Sequence, residues 1–191
     1  RDLHSFPTRR SSDLVYSGGA PYYNPGFNIL TRFGTVDLFE NYRVTGGFRL
    51  AGNFDSNEYL FSVENLKGVF DKQLIYHRQA FFSYNDPSLF KTHSNNLYLT
   101  FSKPLTPVLA VKGTVSYRYD RHVFLATDVA TLSYETISQH WASLKGEAIY
   151  DNTRKRAINI YYGTRTKIFG EYYKQLNRGK SDMFVVGIDF R

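Results

Sequence analysis

AVKGTVSYRY, residues 110–119, decides the fold, because its side chains alternate between apolar and polar. Successive side chains of a β-strand point to opposite sides of the sheet. A period of two therefore predicts a strand with one apolar and one polar surface. The apolar surface carries Val111, Gly113, Val115, Tyr117 and Tyr119, and the polar surface carries Lys112, Thr114, Ser116 and Arg118.

The same alternation recurs along the chain, between clusters of Asn, Asp, Gly, Pro and Ser that favour turns. A weaker strand falls within 27–39, and residues 121–137 are expected to form a long loop with a short strand. No segment shows the period of a helix. The pattern predicts an all-β fold, an antiparallel up-and-down meander. Its eight clear strands fall at about residues 42–52, 58–67, 72–84, 95–103, 107–119, 138–150, 156–174 and 182–191.

Residues 1–14, RDLHSFPTRRSSDL, differ in character from the rest of the chain. They lack the apolar run of ~7–15 residues that a secretory signal needs. Their back-translation resembles a common sequencing-library adapter read in frame, so we interpret them as a non-native leader. Removing its three Arg and two Asp lowers the formal net charge only from +7 to +6. We expect residues 15–26, rich in Gly and Pro, to be a linker, and residues 27–191 to be a truncated β segment of a longer protein.

Composition and strand length favour a membrane. Aromatic residues make up 17% of the chain, yet no apolar run is long enough for a transmembrane helix of about 20 residues. Several predicted strands reach the ~9–11 residues of a transmembrane strand, and a face rich in Lys, Arg, Glu and Thr suits a barrel interior. The pattern thus indicates part of an outer-membrane β-barrel. A soluble β-barrel or sandwich that binds an apolar or glycan ligand would show the same alternation and stays open as the alternative.

Three stretches carry a family resemblance: residues 36–81, beginning VDLFENYRVTGG, residues 151–175, beginning DNTRKRAINIYY, and residues 181–191, SDMFVVGIDFR. Together they resemble the C-terminal region of TolB-like translocation proteins of Gram-negative bacteria. The resemblance implies a barrel-type segment in the outer membrane, downstream of a WD40-like propeller. It implies membrane lipid, that propeller and other envelope proteins as partners, and an anchoring or transport-associated role. It supplies no catalytic residues.

The candidates for site chemistry are few. His140 and Ser143 are three apart on a predicted strand, so they should lie on opposite faces and cannot share a proton. The run 120–122, Asp-Arg-His, is expected to be a solvated loop. Glu58 and Glu64 should share one face as ordinary charges. The chain has no cysteine and no Gly-rich phosphate loop.

These observations predict a protein that is not an enzyme. We expect no catalytic residues, no cofactor-binding residues, no metal-binding residues and no cofactor. Nucleic acid is not an expected partner, because most Arg and Lys fall opposite the apolar face rather than among exposed aromatic residues.

Overall fold

The computed structural model describes residues 28–51, 56–85, 88–125, 133, 135–157, 160–177 and 181–191. The leader at 1–14 and the linker at 15–26 lie outside the described residues. No described segment forms a helix long and apolar enough to cross a membrane. In this part of the chain the regular structure consists of eleven strands: β1 Asn28–Val36, β2 Tyr42–Ala51, β3 Asn57–Asn65, β4 Asp71–Asn85, β5 Ser88–Pro104, β6 Leu109–Phe124, β7 Ile137–Asp151, β8 Arg154–Ala157, β9 Ile160–Tyr162, β10 Arg165–Gln175 and β11 Asp182–Phe190.

Nine of these strands form one antiparallel meander sheet in the order β1-β2-β3-β4-β5-β6-β7-β10-β11. Strands β8 and β9 pair only with each other and are inserted between β7 and β10. The predicted all-β antiparallel meander is therefore confirmed. Among the described strands, β1 and β11 are the two open edges, so the sheet is not closed and the barrel remains a prediction.

The central strands are long. β4, β5, β6 and β7 have 15, 17, 16 and 15 residues. An average strand has about 5–6 residues, and about 9–11 tilted residues suffice to cross a membrane. Short connections join β1 to β2, β3 to β4 and β5 to β6 at one end of the sheet, which we call the turn side. The opposite end, where β2 meets β3 and β4 meets β5, is the loop side.

The two faces of the sheet differ sharply in exposure. Ser94 and Lys112 on the polar face are 1% and 5% exposed, whereas Leu144 and Ile188 on the apolar face are 61% and 70% exposed. Contacts between elements follow the sheet neighbours, with no second layer over either face among the described residues. Because a flat single layer would expose both faces alike, we infer that the sheet curves with its polar face concave. We call the polar, concave face the inner face and the apolar, convex face the outer face.

Two strand predictions were wrong. Residues 156–174 were expected to be one strand, but the chain breaks into β8, β9 and β10. Gly163 lies between β9 and β10 with φ at 115°, a conformation that L side chains rarely adopt, and a Cβ there would collide with the backbone of Asn152. Residues 121–137 were expected to form a long loop with a short strand separate from 107–119, but residues 121–124 continue β6, because β5 pairs with β6 as far as Phe124.

Candidate functional surface: an apolar outer face over a charged inner face

The outer face is an exposed apolar band. Cross-strand register places aliphatic side chains next to one another from strand to strand: Leu74, Leu99, Val115 and Leu144 share one row. All four are exposed, although each is a side chain that soluble proteins bury. Contiguous apolar patches of this extent mark interaction or membrane surfaces. Further exposed members of the band are Leu97, Val111, Ile168, Val186 and Ile188.

Aromatic side chains border the band. Tyr42 and Tyr150 lie at its turn-side margin, and Tyr59, Tyr76 and Tyr117 lie towards its loop-side margin. Tyrosine places an apolar ring in hydrocarbon and its hydroxyl in water, so it accumulates where a membrane meets water. Charged outer-face residues follow beyond the aromatic ones, with Lys72 and Lys103 on the turn side and Arg78, Arg121 and Lys174 on the loop side.

The apolar band does not follow the rows of residues that lie directly opposite one another on neighbouring strands, but crosses these rows diagonally. On β3 the first polar residue of its loop-side margin is Asn57, which is in the row of Ala80. On β10 the margin is at Lys174, in the row that holds Ala142 and, across the sheet, Phe61. The margin has therefore moved by two outer positions towards the turn side. An apolar band that runs parallel to a membrane plane crosses the rows in this way when the strands are tilted from the membrane normal. The strands of membrane barrels tilt by about 35–45°.

The inner face carries paired charges on β2, β3 and β4. The Glu58 carboxylate lies between Arg49, with 3.4 Å from Nε to Oε2, and His77, with 2.8 Å from Nε2 to Oε1. On the same face, Glu64 accepts a hydrogen bond of 2.8 Å from the Gln73 side-chain amide. The prediction that Glu58 and Glu64 share one face is confirmed. Each carboxylate has a donor, as half-buried charges require.

A second inner-face network lies on β6, β7 and β10. Glu147, whose side chain is 4% exposed, has Lys145 at 3.2 Å and Lys167 at 3.7 Å from Oε1. Lys112 lies directly across from Glu147 in the β6–β7 register and is itself buried. Both Lys145 and Lys167 also lie over the ring of Phe169, at 5.0 and 5.3 Å. Three lysines thus converge on one buried glutamate.

Neutral polar side chains continue the inner network. The hydroxyls of Ser116 and Ser143 are 2.7 Å apart, and Ser143 donates to Glu171 at 3.0 Å. Of the described residues, all eleven buried polar or charged side chains belong to the inner face. This sheet therefore buries polar groups and exposes apolar ones, the reverse of a water-soluble layer.

The residues considered for chemistry do not form a catalytic group. His140 is on the outer face, with Nδ1 2.6 Å from the Tyr117 hydroxyl, while Ser143 is on the inner face, so their predicted separation is confirmed. Asp120 is 3% exposed on the inner face of β6, where Arg118 contacts it at 2.6 Å. The expectation of a solvated loop at 120–122 was wrong, because these residues belong to β6.

The strand register also places Arg121 and His122 on opposite faces of the sheet. His122 lies on the inner face with its Nδ1 2.9 Å from the Thr92 hydroxyl, while Arg121 lies on the outer face opposite His93. In the described part of the chain, no three His, Asp or Glu side chains are placed to hold a metal ion.

A search against protein-family models and a search of curated proteins returned no match to this chain. The resemblance to TolB-like proteins therefore stays a prediction from the sequence. The fold and the two faces together define a class, an antiparallel β-meander with an apolar convex surface and a polar concave one.

Sequence reasoning missed one group of residues. Arg78, Lys91, His93 and Arg121 come from β4, β5 and β6 and meet on the outer face beyond the loop-side margin of the band. Each of them lies an even number of positions from the other outer-face residues of its own strand. Their proximity depends on the strand register, which the alternating pattern alone does not supply.

Proposed function

We propose that the chain is a non-enzymatic, membrane-embedded segment of an outer-membrane β-barrel, and that its function is anchoring. The observation that carries this proposal is the inverted polarity of the sheet. Exposed Leu, Ile and Val cover the convex face, while buried Lys, Glu, Asp and Ser cover the concave face. Lipid on the outside and a polar interior are the surroundings that this arrangement suits.

The hydrophobic effect supports the proposal quantitatively. Each large aliphatic side chain gains roughly 1.5–3 kcal/mol when it is removed from water. Most outer-face aliphatic side chains here keep about half of their surface open, so much of that gain is unrealised in water. Hydrocarbon would recover it without any second protein layer. The inner-face ion pairs would at the same time remain next to a polar interior.

Backbone hydrogen bonding sets a further condition. The bilayer core contains no water to satisfy the free N–H and C=O groups of an open strand edge. The outward edges of β1 and β11 therefore need partners, from further strands or from each other. Bacterial barrels of one chain have even strand numbers, and the main sheet has nine described strands. The proposal accordingly includes closure through at least one strand pairing that the described sheet lacks.

The alternative was a soluble barrel or sandwich that binds an apolar or glycan ligand. Such a protein would line a concave cavity with its apolar face or cover that face with a second sheet. Here the apolar face is convex, and the described residues place no second layer on it. The membrane proposal accounts for both features. Transport, a TolB-like identity and a propeller partner are finer proposals that rest on the sequence resemblance alone.

Vesicle flotation tests the anchoring proposal. The chain is folded in the presence of phosphatidylcholine vesicles and centrifuged through a density gradient at high salt, which suppresses electrostatic adsorption. We expect it to float, and we expect Val115→Glu/Leu144→Glu, with two charges in the apolar band, to remain at the bottom. The matched control is Leu38→Glu/Val69→Glu, which makes the same kind of change at exposed positions between strands and should float.

Each outcome is decisive. Failure of the unaltered chain to float would overturn the proposal. Flotation of the band variant at the level of the control would also contradict it, because the outer face would then not be the membrane contact.

A further inference from the structure

Four basic or titratable side chains gather on the outer face at the loop side. His93 of β5 is directly opposite Arg121 of β6. Lys91 occupies the preceding outer-face position of β5, closer to the loop side. Arg78 of β4 lies in the adjacent outer row, opposite Asn95. Directly opposed Cβ atoms lie about 4.5–5.5 Å apart and diagonal ones about 7–8 Å. All three cationic side chains are therefore neighbours of the His93 imidazole.

Among the described residues, this basic cluster has no acidic counterpart on its own face. The described charged side chains that act on His93 are those of Lys91, Arg78 and Arg121, and all three are positive. None of the three cations forms an ion pair with another described residue, and both Arg side chains are exposed. The outer positions of β3 to β7 in these two rows contain neither Asp nor Glu. By contrast, inner-face cations such as Arg49 and Lys145 have carboxylate partners.

An aromatic notch adjoins the cluster on the side of the apolar band. It has a volume of about 350 Å³ and is lined by Tyr76, Leu97, Tyr117, Tyr119 and His140. The Tyr119 and His140 rings are 4.7 Å apart, and the Tyr76 hydroxyl donates to Asn95 at 3.1 Å. A molecule that spans the cluster and the notch would thus meet positive charge first, then aromatic rings, then aliphatic side chains.

We infer that this cluster and notch form a binding site for an anionic lipid whose phosphate lies against Arg78 and Arg121. The inference rests on the proposed membrane position of the outer face. The order of side chains along the surface, cationic, then aromatic, then aliphatic, matches the order of groups in such a lipid: a phosphate, a glycerol or sugar region, then acyl chains. Arg binds phosphate through two parallel hydrogen bonds, and Lys acts as a point charge. The adjacent Asn95 side chain offers a further polar contact at the same level.

The position of the cluster argues for a lipid rather than for a peptide. Basic side chains beside a membrane surface attract anionic headgroups, with an effect that adds up residue by residue. The cluster lies where an apolar band ends, and the notch opens along that band. A soluble phosphate would use the cations but would leave the aromatic notch and the band without a role.

Competition between two lipids in one membrane tests the site. The chain has no cysteine, so Ser138→Cys, opposite Arg121 at the same margin, carries a single fluorophore. Labelled protein is folded in phosphatidylcholine vesicles that contain either phosphatidylglycerol or phosphatidylcholine with a nitroxide near the glycerol end of one acyl chain. We expect the phosphatidylglycerol probe to quench with about tenfold higher apparent affinity, given additive attraction by several basic residues.

Variants locate the preference. Arg78→Gln/Arg121→Gln should bring the ratio of affinities close to one, and Arg78→Lys/Arg121→Lys should retain part of the preference because the charges remain. The matched control, Lys72→Gln/Lys103→Gln, removes two positive charges from the turn-side margin of the same face and should leave the ratio unchanged. Quenching by the phosphatidylcholine probe in every variant shows that each is still embedded.

Three results would overturn the inference. Equal quenching by both probes in the parent protein refutes lipid selectivity and leaves the membrane proposal intact. Quenching by neither probe refutes the membrane proposal as well. Loss of the preference on addition of millimolar glycerol phosphate shows that the site takes a soluble phosphate instead of a lipid.

Discussion

Leu144→Arg should destabilise the membrane-embedded protein by about 2–3 kcal/mol, the cost of an arginine facing lipid near the middle of a barrel wall. Leu144 is 61% exposed and lies between Val115 and Tyr172 in its row, so its side chain has no protein layer above it. The arginine would have to place its guanidinium in hydrocarbon or bend towards the margin. If the outer face were in water, the same change would expose less apolar surface and would alter stability by under about 1 kcal/mol.

Urea unfolding in short-chain phosphatidylcholine vesicles measures this cost. The only tryptophan, Trp141, reports on β7 itself. The matched control is Leu38→Arg, at a 95% exposed position between β1 and β2, which should change the free energy of unfolding by less than about 0.5 kcal/mol. A cost for Leu144→Arg no larger than that of the control would refute a lipid-facing outer surface.

Two further predictions concern the inner face and the glycines. Glu147→Gln leaves the buried Lys112 and the half-buried Lys145, at 3.2 Å, without their carboxylate. It should cost about 3 kcal/mol in the same unfolding assay, and a loss below about 1 kcal/mol would show that water already screens this cluster. Gly113→Ala should stabilise the protein by about 0.5–1 kcal/mol, because its added methyl meets no atom within 4 Å. Gly46→Ala should stabilise it less, because its methyl would displace the exposed Phe33 ring that lies over the glycine. Equal effects of the two glycine substitutions would contradict the packing of Phe33 on Gly46.

The alternating sequence predicted the strands and the two faces because a strand's side-chain period is local. Val111, Lys112, Val115 and Ser116 fall on the faces that their parity indicates. Curvature was not predictable in this way. Alternation is the same for a sandwich and for a barrel, and the concave polar face is inferred only from the burial of residues such as Ser94.

Other features escaped prediction for physical reasons of their own. The run 120–122 is polar on both faces, so its strand character comes from pairing with β5 and is hidden from any hydrophobic pattern. The break at Gly163 was missed because the residues around it alternate as though one strand continued. The basic cluster depends on the register of three strands, and the sequence places Arg78 and Arg121 more than forty residues apart.

Spin labels at neighbouring positions test the central claim, that the outer face contacts lipid, most directly. Single cysteines replace Thr114 and Val115 on β6 and Leu144 and Lys145 on β7, and each label is exposed to oxygen, which concentrates in lipid, or to a water-soluble nickel chelate. We predict higher oxygen than chelate accessibility at Val115 and Leu144, and the reverse preference at Thr114 and Lys145. Chelate accessibility at Val115 and Leu144 equal to that of a label at Leu38 would place the outer face in water and contradict the account.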